Sequence, residues 1–187
     1  LTAEDEVITY VARGMEEYRG FPQFMEAVSI LQKQRPNLHV IMLGNDRVAY
    51  GAPREDGKTY KEWAMETFEF DHSRLHMMGL QPLEFFRDMM RITSAHVYLT
   101  APALIIGSDT DPLHEVITHG ENGILTPFFA VDKLIDQVNQ VLNNKSEFRS
   151  CGVQARETIV ASYATRDLLP KYKQLIENVA NGQQCSS

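Results

Sequence analysis

Six short apolar or β-branched runs recur along the chain, with amphipathic stretches between them. This alternation limits the fold more than any other feature of the sequence. The runs cover residues 7–11, 39–44, 75–79, 95–99, 104–107 and 123–126. Helical patterning falls between them. Residues 21–34 carry Phe24, Ala27, Val28 and Leu31 on one stripe; 58–68, 82–91 and 112–118 follow; three helices close the chain, the terminal ones over about 147–181. The strand runs are apolar on both faces, as strands between two helical layers must be. Repeated strand–helix units of this length imply parallel strands joined by right-handed crossovers. The expected fold is therefore a doubly wound, Rossmann-like α/β sheet of about six parallel strands, forming a single domain over residues 1–187.

One place resists that scheme. Residues 95–99 and 104–107 read as two strands with almost nothing between them, whereas consecutive parallel strands need a crossover of about a dozen residues or more. Fusing them puts Pro102 inside a sheet, with no N–H to donate. A tight hairpin would require turn residues such as Asn-Gly, which are absent. The expectation is that residues belonging between Pro102 and Ala103 are missing from this sequence; the alternative is an irregular sheet.

Composition narrows the classes of function. Of 187 residues, 43% are hydrophobic and 23% charged, enough apolar material for a substantial core. Eighteen basic residues against 25 acidic ones give a net charge of −7. A chain of that sign lacks the overall field that attracts nucleic acid. No apolar run reaches the ~18 residues of a transmembrane segment, and no charged-then-apolar leader opens the chain. Cys151 and Cys185 make no disulfide framework. A cytoplasmic protein is the expectation.

The first chemical candidate is the segment from Val11 to Phe21, which contains Arg13, Gly14, Arg19 and Gly20. It joins the first strand to the first helix, at the edge where α/β sheets bind ligands. Two arginines six residues apart, flanked by glycines that admit a close ligand, suit a diphosphate; surface arginines at a strand–helix junction are the plain alternative. Neither GxGxxG nor GxxxxGK[ST] is present, which counts against a dehydrogenase or an ATPase. In the second candidate, from Gly107 to Ile117, Asp109 or Thr110 reads more simply as a helix cap ahead of Pro112 than as a catalyst. His119-Gly120-Glu121-Asn122-Gly123 reads as a turn whose glycines and asparagine supply positive φ. The six histidines form no metal-ligand spacing. Met77, Met78, Met89 and Met90 read as core filling, and neither cysteine has a paired base for thiol catalysis.

These residues resemble, over almost the whole chain, the C-terminal, donor-binding half of GT-B type retaining glycosyltransferases, the family 4 (group 1) enzymes. VITYVARGMEEYRGF is similar to the family's opening strand and Arg-Gly loop. RPNLHVIMLGND is similar to its second strand, and RLHMMGLQPLEFFRDMMRITSAHVYLTAP to its middle. ALIIGSDTDPLHEVITHGENGILTPFF, the most specific stretch, is similar to its closing strands, and YGAPREDGKTYKEW resembles a bacterial subset. The resemblance implies a hexosyltransferase-type enzyme that moves sugar from a nucleotide diphosphate sugar, without a metal or a cofactor. Arg13 and Arg19 would be the catalytic charges against the diphosphate, Arg19 standing where most members have lysine. Gly14, Gly79, Leu80 and Gln81 would bind the nucleotide. It also implies that a helix bearing two glutamates at E-x7-E spacing belongs at the 102–103 seam. An N-terminal acceptor-binding domain would lie outside this chain, leaving these residues inactive alone. A non-catalytic nucleotide-sugar-binding or scaffolding module of the same fold is the alternative.

Overall fold

The structure, a computed structural model, describes residues 1–2, 4–97 and 104–180. Six strands form one sheet: β1 (Glu6–Gly14), β2 (Leu38–Asn45), β3 (Leu75–Met77), β4 (Ala95–Val97), β5 (Ile105–Ser108) and β6 (Ile124–Thr126). Their spatial order is β3-β2-β1-β4-β5-β6, and every pairing is parallel. The helices are α1 (Phe21–Gln34), α2 (Tyr60–Thr67), α3 (Leu83–Ile92), α4 (Asp111–His114), α5 (Val131–Asn143), α6 (Lys145–Ser162) and α7 (Thr165–Ala180). The doubly wound α/β fold expected from the alternation is the fold observed.

The period-two side-chain alternation of a strand explains how both faces fill. Ile8, Tyr10 and Ala12 of β1, with Leu38, Val40 and Met42 of β2, enter the large core beneath α1, α2 and α5. Val7, Ile41 and Leu43 point the other way and pack against Met89 and Met90 of α3. Ile106 and Ile124 join the first layer, while Ile105 and Leu125 meet Leu113 and Ile117 beyond. Met89 and Met90 are thus core residues as expected, and Met77 is partly buried. Met78 is a correction: it lies just past the last residue of β3 and is exposed.

Two other local expectations change. The stretch 112–118 yields only the single turn of α4, because Glu115 ends it. Its N-cap residue Thr110 makes no side-chain capping bond. In the 118–123 turn Gly120 has φ 81°. Gly123 is needed for space instead, since a Cβ there would stand 2.9 Å from Ile117 Cγ2. Asn122 works through its side chain, accepting from the Thr118 amide at 2.7 Å and donating to the Val116 carbonyl at 3.0 Å.

β4 and β5 pair in parallel, with His96 opposite Ile105. Between Val97 and Ile105 the sequence supplies only seven residues, 98–104. The expected seam at Pro102 and Ala103, and Cys185, lie outside the described residues. Among the described residues no helix is long and apolar enough to cross a membrane.

Candidate functional site

In the strand order 3-2-1-4-5-6 the sheet reverses direction of growth between β1 and β4, the switch point at which such sheets open a crevice. The segment after β1 is built tightly there. Tyr10 is buried, stacked on Phe24 at 4.9 Å and edge-on to Phe21 at 6.0 Å. Its hydroxyl donates to the Arg19 carbonyl at 3.0 Å, so a core ring holds the Arg19 backbone. Gly20 then turns the chain with φ 64° into α1, its N–H donating to the Glu17 carbonyl.

Arg13 and Arg19 line one open cleft of about 490 Å³, together with Gly79, Leu80 and Gln81. The carboxyl ends of β1 and β2 supply Val11, Ala12, Leu43 and Gly44; α3 supplies Leu83 and Phe86. Five of the six residues singled out from the sequence therefore converge. Gly79 has φ 66° and open space around it, so the β3–α3 loop turns sharply and leaves its backbone accessible. Gln81 donates to the Met78 carbonyl at 2.7 Å, bracing that loop. Gly14 sits beside the cleft, not in its wall. A Cβ on it would stand 2.5 Å from the Arg47 carbonyl, so its smallness admits the β2–α2 loop. Arg19 also borders a smaller cavity of about 50 Å³ that reaches Gly107, Ser108 and Thr126 at the ends of β5 and β6. Near that edge Asp109 and His114 pair at 2.6 Å, both about half exposed.

The sequence reading missed two residues of this site. Glu16 has no exposed surface. Its Oε2 accepts three backbone amides of the β2–α2 loop, from Ala49, Tyr50 and Gly51, each at 2.9 Å. Burial acts to raise the Glu16 pKa, but these amides and nearby Arg19 outweigh it and hold the carboxyl below its ordinary value. Its Oε1 lies 3.9 Å from Arg19 Nε and has no hydrogen-bond partner among the described residues. Tyr50 stands between the two arginines. Arg13 Nη1 donates to its hydroxyl at 3.1 Å, and Arg19 Cζ lies 4.7 Å from its ring centroid. The hydrogen bond from Arg13, then its charge, lowers the Tyr50 phenol below the usual tyrosine range. The contact joins residues 37 apart, so no local pattern could announce it.

The cleft and sheet define a class: the chain has the fold of the C-terminal domain of GT-B glycosyltransferases. Sucrose-phosphate synthase from Thermosynechococcus elongatus superposes with a TM-score of 0.77 at 16% identity, over 98% of this chain and 47% of that one. Anabaena Alr3699/HepE, solved in complex with UDP-glucose, superposes with a TM-score of 0.77 at 13% identity, over 94% of this chain and 50% of that one. The C-terminal domain of the group 1 glycosyltransferase LpcC from Francisella tularensis gives a TM-score of 0.69 at 13% identity, over 85% of this chain and 87% of that domain. The chain thus spans about half the length of the first two. No protein-family model matches the sequence, and no curated protein does.

Proposed function

We propose that this chain is the donor-nucleotide-binding domain of a retaining, metal-independent glycosyltransferase that transfers a hexose from a nucleotide diphosphate sugar. One observation carries the reading. Two arginines, one at the carboxyl end of β1 and one in the turn after it, share a cleft with a backbone-open glycine turn, in a fold whose solved neighbours include one bound to UDP-glucose. Breaking the bond between sugar and diphosphate leaves negative charge on the departing phosphate. Fixed guanidinium groups stabilise that charge, in the role a metal plays elsewhere. Arg13 and Arg19 take this part, while Gly79, Leu80 and Gln81 lie against the nucleotide, largely through backbone groups. Gly14 serves the site by admitting the β2–α2 loop.

The acceptor side belongs to a second domain outside these 187 residues, so the chain alone binds donor without transferring sugar. The β4–β5 connection belongs to the same proposal. Paired residues of the other sequence-consecutive strands stand far apart in sequence, as Val40 and Leu75 or Ile106 and Ile124 do; His96 and Ile105 stand only nine apart. A helical crossover carrying the glutamates that face the donor is missing between Pro102 and Ala103. That short connection also favours the second reading, a nucleotide-sugar-binding module that has lost its catalytic helix.

Calorimetric titration with UDP, and separately with pyrophosphate, tests the site. Binding that Arg13→Ala and Arg19→Ala each weaken at least tenfold is expected; binding indifferent to both removes the diphosphate reading. The two versions of the protein separate by peptide mass mapping across the β4–β5 connection in the protein from its native source. A helix-length stretch with two glutamates at E-x7-E spacing between Pro102 and Ala103 supports the enzyme, and Pro102 joined directly to Ala103 supports the module.

A further inference from the structure

Two guanidinium groups at the mouth of one cleft repel each other until an anion arrives. Something must hold them together meanwhile if the site is to be ready for its ligand. Tyr50 touches both. Its hydroxyl accepts from Arg13 Nη1 at 3.1 Å, and its ring face lies 4.7 Å from the Arg19 guanidinium carbon, within the range of a cation–π contact. Tyr50 is 55% exposed, so burial in the core is not what fixes its side chain.

Its backbone nevertheless is held firmly. The fully buried Glu16 carboxylate grips the amide of Tyr50 and those on either side of it at 2.9 Å each. Sinking a carboxylate this deeply costs solvation that an ordinary surface loop does not require. Glu16 also lies in sequence between Arg13 at the end of β1 and Arg19 in the turn that follows, and its other oxygen faces Arg19 Nε at 3.9 Å. One buried side chain therefore ties the β2–α2 loop to the arginine segment, with Tyr50 at the junction.

We infer that Tyr50, fixed by the Glu16-gripped loop, is a positioning residue that gathers Arg13 and Arg19 onto one cleft before the ligand binds. This deepens the diphosphate reading of the site and rests on it. Because Tyr50 acts through the arginines, removing its hydroxyl weakens phosphate binding without altering the fold, and removing its ring weakens binding further.

The test uses the 187-residue protein with pyrophosphate and UDP as probes, and begins without either. The difference in phenolate absorbance between wild type and Tyr50→Phe isolates the ionisation of Tyr50. It should fall below the ordinary tyrosine value of about 10 and move up in Arg13→Ala. A Tyr50 phenol that ionises at or above 10 and ignores Arg13→Ala overturns the contact itself. Pyrophosphate binding should weaken about threefold in Tyr50→Phe, the scale of one exposed hydrogen bond. It should weaken about tenfold in Tyr50→Ala, where the cation–π contact goes too, with the melting temperature unchanged in both. Unchanged or tighter binding in the Tyr50 variants, while Arg13→Ala still weakens it at least tenfold, overturns the role of Tyr50 and leaves the diphosphate site standing. If wild type binds neither probe, the diphosphate reading fails and the role falls with it.

Discussion

His96 shows how far a single buried group ties this fold to pH. It sits on β4 with no exposed surface, its Nδ1 2.8 Å from Thr9 Oγ1 on the neighbouring strand. Burial pushes its pKa down to about 4, against about 6.5 in an unfolded chain. The folded protein therefore has its full stability above about pH 6.5 and loses it progressively as the pH falls towards 4, because only the unfolded chain takes up the proton. This one residue should cost ~2 kcal/mol at pH 5 and ~3 kcal/mol by pH 4. His76 acts in the same direction, its pKa lowered by burial and then by His39, with which it stacks at 5.3 Å. Urea denaturation at pH 7.5 and pH 5 measures the loss, and His96→Gln should flatten it; equal slopes for both proteins would contradict this account. In the sequence His96 is one of six histidines without metal-ligand spacing, and only its place in an apolar run marks it as buried. Glu16 carried still less signal. An acidic residue in a strand–helix loop reads as solvated surface, and its burial depends on amides that arrive some 35 positions later.

Elements were more legible than residues, because a doubly buried strand must be apolar throughout and an amphipathic helix must show its stripe. The six runs matched the six strands, and α1 matched its expected bounds over residues 21–34. What sequence patterning misses is how elements are pinned at the edge opposite the cleft. Arg74, just ahead of β3, donates to the carbonyls of Arg35 at 2.9 Å, Leu38 at 3.1 Å and Gln32 at 3.2 Å. Its Nε meets Asp71 at 2.8 Å. Bonds from Ser73, then from Arg74, lower the Asp71 carboxyl to about 2. One guanidinium thus satisfies the open end of α1 and the turn into β2, where helix carbonyls lack internal partners. Arg74→Ala should lower stability by about 3 kcal/mol, the scale of charged hydrogen bonds lost from a mostly buried site. Arg74→Lys should recover less than half of it, since an ammonium cannot reproduce a fork spread over three carbonyls. Denaturant midpoints decide this, and full recovery by lysine would reduce Arg74 to a point charge. At the opposite edge, Thr59 and Glu62 close a capping box at the start of α2, with bonds of 3.1 and 2.9 Å. Thr59→Ala should therefore cost only about 1 kcal/mol.

At the scale of the whole molecule, the proposed function makes the cleft half of a site. Its walls come from one sheet edge, and the chain spans about half of sucrose-phosphate synthase and of HepE. In the proposed enzyme the two arginines act on a ligand whose sugar end must meet a second domain. The charge they face grows as the sugar leaves, because the departing diphosphate gains what the glycosidic oxygen had shared. Interactions that strengthen on the way to the transition state alter kcat, whereas those equal in both states alter only KM. Arg13→Ala and Arg19→Ala in the proposed two-domain enzyme should each cost about 1.5–3 kcal/mol, the range for hydrogen bonds to charged groups. That is a tenfold to hundredfold fall in kcat/KM, with kcat carrying part of it. Tyr50→Phe should divide differently. It leaves both guanidinium charges in place and loosens only their starting arrangement, which the bound diphosphate restores, so its effect should fall mainly on KM. Steady-state kinetics with the three variants side by side separates the roles. Arginine variants that change KM alone would make the pair a binding clamp without catalytic effect. A kcat loss in Tyr50→Phe equal to that in Arg13→Ala would place the phenol among the groups that meet the leaving phosphate.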